Sequence, residues 1–145
     1  MNDAGRRGLA VLIAGLLTMM IVAAASPPSR ATAQSASQAF PYGRELRLDA
    51  DRMRGTRKIP VLDIGTDGMA DIELWCNNVK AQLVVAANTI TIITGPTSLR
   101  QCGPDLVRAD DDLLTALTQA TSWRMDDTAL TLTGGRTLRF VVQTN

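Results

Sequence analysis

From Glu45 onward, apolar residues recur at every second position in short runs, and turn-forming residues interrupt those runs every few positions. This alternation constrains the chain most, because a period of two sets one row of side chains on one face of a pleated strand. Glu45–Leu48 alternates in this way, and Ile59–Ile64 is a second candidate, with Pro60 near its start where a missing N–H is tolerated. Asp51–Lys58, charged and interrupted by Gly55, is expected to be a loop between them. Thr66-Asp67-Gly68 reads as a turn into Met69–Cys76, which puts Ala70, Ile72, Leu74 and Cys76 on one face. Lys80–Ala86 and Thr89–Thr94 form a second hairpin about Ala87-Asn88, with Ile90 and Ile92 inward, Ile93 outward, and Gly95-Pro96 as its end. The run Thr-Ile-Thr-Ile-Ile-Thr favours the pleated state because its branched side chains are stiff at χ1. A meander follows over Ser122–Met125, Thr128–Thr133 and Arg136–Val142, turning at Asp126-Asp127 and at Gly134-Gly135, a two-residue hairpin signal.

One stretch breaks the period. After Gly103, Pro104 suits a first helical position because its absent N–H would have had no partner there, and Asp105 meets the positive helix end. Leu106, Ala109, Leu113 and Leu117 then recur at helical spacing, with Leu114 beside them, and the helix is expected to fade over Gln119–Thr121. The expected fold is α+β: a small antiparallel β-sheet of seven or eight short strands, strongly curled or barrel-like, with one amphipathic α-helix.

The first residues carry an address. Arg6 and Arg7 precede an apolar run from Leu9 to Ala25, and Ala31-Thr32-Ala33 offers small residues at the −3 and −1 positions of a cleavage site. Residues 1–33 are therefore expected to be a signal peptide cut after Ala33, the alternative being a retained anchor, for which the run is short. Residues 34–42 are expected to be a flexible mature N-terminus and 43–145 a single domain, periplasmic or secreted. The leader holds Arg6, Arg7, Arg30 and Asp3, so its removal takes the formal charge from +1 to −1, which argues against nucleic-acid binding. The chain has no histidine, so Ser-His-Asp and Cys-His catalysis and His-ligated zinc are excluded.

Cys76 and Cys102 both follow the leader. In an oxidising compartment two cysteines read first as one disulfide; two free thiols are the alternative, and a redox pair lacks its CxxC. Trp75-Cys76-Asn77-Asn78 is either a recognition corner or, more simply, a strand end and turn with Asn77 bonding local backbone and Trp75 packed on the sheet. Arg44, Arg47, Arg52, Arg54, Arg57 and Lys58 form a basic patch that suits an anionic surface or an acidic partner, or else a charged edge that blocks sheet association. Asp110-Asp111-Asp112 fans out by about 100° per residue and cannot converge on one cation, so it is expected to be a solvated helix face. No nucleophile motif such as GxSxG or SxxK is present.

Trp75-Cys76-Asn77-Asn78, a hairpin, Gln101-Cys102-Gly103-Pro104, an amphipathic helix and a meander ending in Thr137–Phe140 together resemble the META domain of HslJ-type heat-inducible bacterial envelope proteins. Cys76, Asn77, Thr97, Cys102, Pro104, Leu113, Leu114 and Leu117 match that pattern. Trp75 stands where the family has glycine, and Val79-Lys80-Ala81 where it has an aromatic–glycine segment. The resemblance implies a small β-rich envelope domain with one helix, linked in some members to stress tolerance, and no reaction. The expected function is accordingly a non-enzymatic exported domain that binds an envelope protein or a small ligand, or supports envelope integrity. An inhibitor or chaperone-like binder using a sheet edge is one alternative, and an enzyme built on two aspartates in one cleft is another. No cofactor or metal is expected. Membrane contact is expected only through the leader, and the domain is expected to be a monomer.

Overall fold

The computed structural model describes residues 39–143; the leader, its cut after Ala33 and the first residues of the mature N-terminus lie outside them. Among the described residues the alternating runs become eight strands: β1 (Arg44–Leu48), β2 (Val61–Ile64), β3 (Met69–Glu73), β4 (Asn78–Ala86), β5 (Thr89–Thr97), β6 (Ser122–Met125), β7 (Ala129–Thr133) and β8 (Leu138–Val142). The one helix, α1 (Pro104–Thr118), connects β5 to β6. Each strand pairs antiparallel with the next, and β1 pairs with β8, so the sheet closes into a barrel. Closure leaves few sheet edges to seek a partner.

The period-two pattern decides what the barrel encloses. Leu46, Leu62, Ile64, Ile72, Leu130, Leu132 and Phe140 point inward and are almost wholly buried. Each apolar side chain of this size contributes about 1.5–3 kcal/mol on burial. Leu106, Leu113 and Leu117 bring one stripe of α1 onto the same core. The helix begins after Gly103 without a side-chain cap, with Pro104 in its first turn, and ends at Gln119.

Three expectations are corrected. β5 does not stop at Gly95-Pro96 but runs to Thr97, because a bulge at this dipeptide sets Thr94–Thr97 of β5 against Val79–Ala81 of β4, one residue more on β5. A bulge is where a strand can hold a residue with no N–H to give. Gly134-Gly135 is not a two-residue turn: β7 ends at Thr133 and β8 starts at Leu138. Its glycines serve close approach instead, since a Cβ on Gly134 would collide with the carbonyl oxygen of Gln119 at the helix end. Phe40 and Pro41, expected in the flexible N-terminus, are buried, because the Phe40 ring packs edge-on against Trp123 at 5.0 Å.

The barrel is closed unevenly. β4 and β5 pair over most of their length, whereas β5 and β6 share one ladder pair, Thr89 with Ser122. Two further backbone bonds hold that seam, Ile90 N–H to the Thr121 carbonyl at 3.1 Å and Trp123 N–H to the Asn88 carbonyl at 2.9 Å. The chain leaves the sheet after Thr97, at the far end of β5, makes α1 and returns to the seam at Ser122.

Candidate functional site

Two places gather side chains of possible function, and they differ in how much of their bonding capacity is spent. The first is the corner after β3. Leu74 N–H donates to the Asn77 carbonyl at 2.8 Å, which tightens Leu74–Asn77 into a turn. Asp110, reaching from α1, accepts from the backbone N–H of Cys76 at 3.2 Å, and from the backbone N–H and side-chain amide of Asn77 at 2.8 and 3.1 Å. The Asn77 side-chain oxygen accepts from Arg100 N–H at 2.9 Å and the Ser98 hydroxyl at 3.2 Å. Cys76 and Cys102 are joined by a disulfide with Cα atoms 6.2 Å apart, inside the usual range of roughly 4.4–6.8 Å. The Thr56 hydroxyl donates to the Trp75 carbonyl at 3.1 Å and ties the β1–β2 loop to the same turn.

This chemistry is structural. Trp75, Cys76 and Asn77 are buried, and within Trp75–Asn78 only Asn78 is exposed, so the side chains proposed for recognition mostly face inward. Asp110 was the residue missed. It is 1% exposed, whereas Asp111 and Asp112 are exposed as expected, so the acidic run is solvated at two of its three positions. The signal was its phase: Asp110 lies four residues after Leu106 and three before Leu113, on the buried stripe itself.

The basic residues sit on other elements. Arg44 and Arg47 are exposed on β1, Arg52, Arg54 and Arg57 are exposed in the β1–β2 loop, and Lys58 reaches Glu73 at 3.7 Å. Among the described residues no cluster of three or more metal-ligating side chains occurs, and no helix is long and apolar enough to cross a membrane.

The second place is a groove of about 800 Å³ at the thin seam, between the β4–β5 turn and the outer part of β6. Phe40, Tyr42, Val85, Trp123 and Met125 supply apolar and aromatic lining, and Arg124 supplies the one charge. The volume lies within the roughly 300–1,000 Å³ typical of ligand sites. Local geometry makes the groove. β6 runs on past the tip of the β4–β5 hairpin, and Ala87 at that tip holds a left-handed backbone at φ 51°, rare for a residue with a Cβ. None of these lining residues was singled out from the sequence. Trp123 and Met125 sit in an ordinary-looking alternating strand, and the groove arises from tertiary register.

Beside the groove, the β6–β7 hairpin is held by Asp126. One of its oxygens accepts from Thr128 N–H at 2.8 Å, the Thr128 hydroxyl at 2.9 Å and Ala129 N–H at 2.8 Å. The Thr128 backbone bond is the largest cause of a carboxyl pKa held below its ordinary value of 3.8; the Thr128 hydroxyl, the Ala129 N–H and the Arg139 charge lower it further, against a small opposing desolvation.

The META domain family model matches residues 43–145. A protein structure solved by NMR is similar at 15% identity over 69% of this chain and 89% of that one, with a TM-score of 0.53. At that identity the likeness concerns the fold alone. No curated protein matches the chain.

Proposed function

This chain belongs to the META domain family, and from that premise we propose that it is an exported, non-catalytic binding domain of the cell envelope whose ligand occupies the groove at the β5–β6 seam. The observation that carries the reading is the groove: Tyr42, Val85 and Trp123 stay at least partly open to solvent, over buried Phe40 and Met125, at the least paired seam of an otherwise filled barrel. The two carboxyl groups that accept several hydrogen bonds favour binding over catalysis. Asp110 is enclosed by three N–H donors, and Asp126 is spent on its own turn. A partner-binding role through a sheet edge is the weaker reading, because β1 and β8 close the barrel and leave the β5–β6 seam as its one thin place.

The test is titration of the purified, oxidised protein with N-phenyl-1-naphthylamine, a neutral apolar fluorophore. Trp75→Phe leaves Trp123 as the remaining tryptophan, so energy transfer from Trp123 reports occupancy of the groove. One saturable site is expected, weakened about fivefold or more by Tyr42→Asp, a change at an exposed lip residue. Absence of saturable binding, or binding indifferent to Tyr42→Asp, would sink the reading.

A further inference from the structure

Among the described residues the groove has one charge and no counter-charge: Arg124 is exposed at its rim, and no described aspartate or glutamate lines it. The other basic groups near carboxylates are engaged: Lys58 with Glu73, Lys80 with Asp71, Arg108 with Asp105, and Arg139 with both Asp49 and Asp126. Arg124 makes no ion pair among the described residues. The carboxyl nearest to it in sequence, Asp126, accepts three hydrogen bonds from Thr128 and Ala129 and faces Arg139. A second unspent donor sits one residue away. The indole N–H of Trp123 is buried and has no acceptor among the described residues, which is uncommon for a buried tryptophan.

We propose that the groove takes a single-chain anionic amphiphile, its hydrocarbon tail against Phe40, Trp123 and Met125 and its acidic head at the Arg124 guanidinium. This rests on the groove being the binding site, and adds to it the charge and shape of the ligand. Charge complementarity selects the head: a planar guanidinium with free donors matches a carboxylate or a phosphate oxygen pair. The lining selects the tail, because Tyr42, Val85 and Trp123, with Phe40 packed edge-on against Trp123 at 5.0 Å, line the groove with apolar surface. A cationic amphiphile would set its head against Arg124, and a neutral one would leave that guanidinium unpaired.

The experiment displaces N-phenyl-1-naphthylamine from the oxidised full chain with dodecanoate, dodecanol or dodecyltrimethylammonium, each below its aggregation concentration. Dodecanoate is expected to compete about three- to tenfold better than dodecanol, and the cation worst, with the preference shrinking as salt is raised. Arg124→Gln should erase the preference for dodecanoate and leave dodecanol unchanged. Arg124→Lys should keep part of it, and both variants sit at an exposed position where folding is not at stake. If the fluorophore binds but dodecanoate and dodecanol compete equally, or Arg124→Gln changes neither, the acidic-head proposal is overturned while the groove reading stands. If the fluorophore itself does not bind, the groove reading fails first. A third arm uses vesicles containing phosphatidylglycerol: Arg124-dependent sedimentation with vesicles, without competition by dodecanoate, would overturn the monomeric ligand in favour of a membrane surface.

Discussion

The corner at Trp75–Asn78 and the hairpin between β6 and β7 are each organised by a single aspartate that accepts three hydrogen bonds, yet they are opposite kinds of structure. Asp110 is 1% exposed, and its donors lie 33 or 34 residues away in sequence. Asp126 is exposed, and its donors are two and three residues away, on the turn it belongs to. The difference is one of solvent and of distance along the chain. An exposed donor that loses its acceptor finds water, whereas a buried one finds nothing. A local turn orders only itself, whereas the Asp110 contacts join α1 to the β3–β4 connection. The corner is therefore a clamp on the fold, and the hairpin a local stiffener beside the groove.

The contrast breaks if Asp110 proves dispensable. Asp110→Ala strands two backbone N–H groups and the Asn77 amide in the core and leaves a void, so a loss of about 4 kcal/mol is expected. That is a large share of the 5–15 kcal/mol typical of a domain. Urea unfolding followed by tryptophan fluorescence measures it. A loss below about 1 kcal/mol would place Asp110 in the same class as Asp126.

The disulfide sharpens the same side of the comparison. Closing a loop across a separation of 26 residues removes about 3.5 kcal/mol of unfolded-chain entropy in the loop-closure account. The variant carrying Cys76→Ala and Cys102→Ala should lose nearly that much in urea unfolding. Combined with Asp110→Ala the losses should fall short of additive, because both changes release the Cys76–Asn77 turn. Full additivity would mean that bridge and carboxyl group hold separate things.

The two regions were not equally legible in the sequence. The turn at Asp126-Asp127 could be read at once, since a short polar side chain bonding its own backbone needs only neighbours to be inferred. The strands were legible for the same reason: Ile90 and Ile92 inward against Ile93 outward follows from alternation alone, and they are 3%, 3% and 54% exposed. Asp110 was read as solvent-facing with its two acidic neighbours, because residue type outweighed helical phase. Its burial depends on donors that only the folded chain brings within reach. The groove was illegible for a further reason. Phe40 precedes the first strand, Val85 is next to last in the fourth and Trp123 is second in the sixth, and no spacing rule brings three such positions together. Gly95-Pro96 misled in the same way, since a bulge in β5 itself absorbs a dipeptide that elsewhere would end the strand.

The smallest expected effect belongs to Asp126 and is visible mainly in its pH dependence. Its carboxyl pKa in the folded protein lies below the ordinary 3.8, chiefly through the Thr128 N–H. A carboxyl group whose folded pKa is depressed binds its proton more readily in the unfolded chain, so its contribution to stability is complete at pH values above 3.8. As pH falls below that value the unfolded chain takes up the proton first, and the contribution is lost through the lowered folded pKa. Unfolding midpoints of the wild type and Asp126→Ala, measured from pH 6 downward, should differ at the upper end and converge in acid. Asp110→Ala should remain far less stable than the wild type at pH 6, where the Asp126 variant loses less, because water replaces the lost acceptor for the exposed Thr128 N–H and hydroxyl. If the Asp126 difference persisted undiminished in acid, the turn would owe its stability to shape alone rather than to the charge that its N–H donors surround. The hairpin would then be a rigid flank of the groove whose geometry acid leaves unchanged.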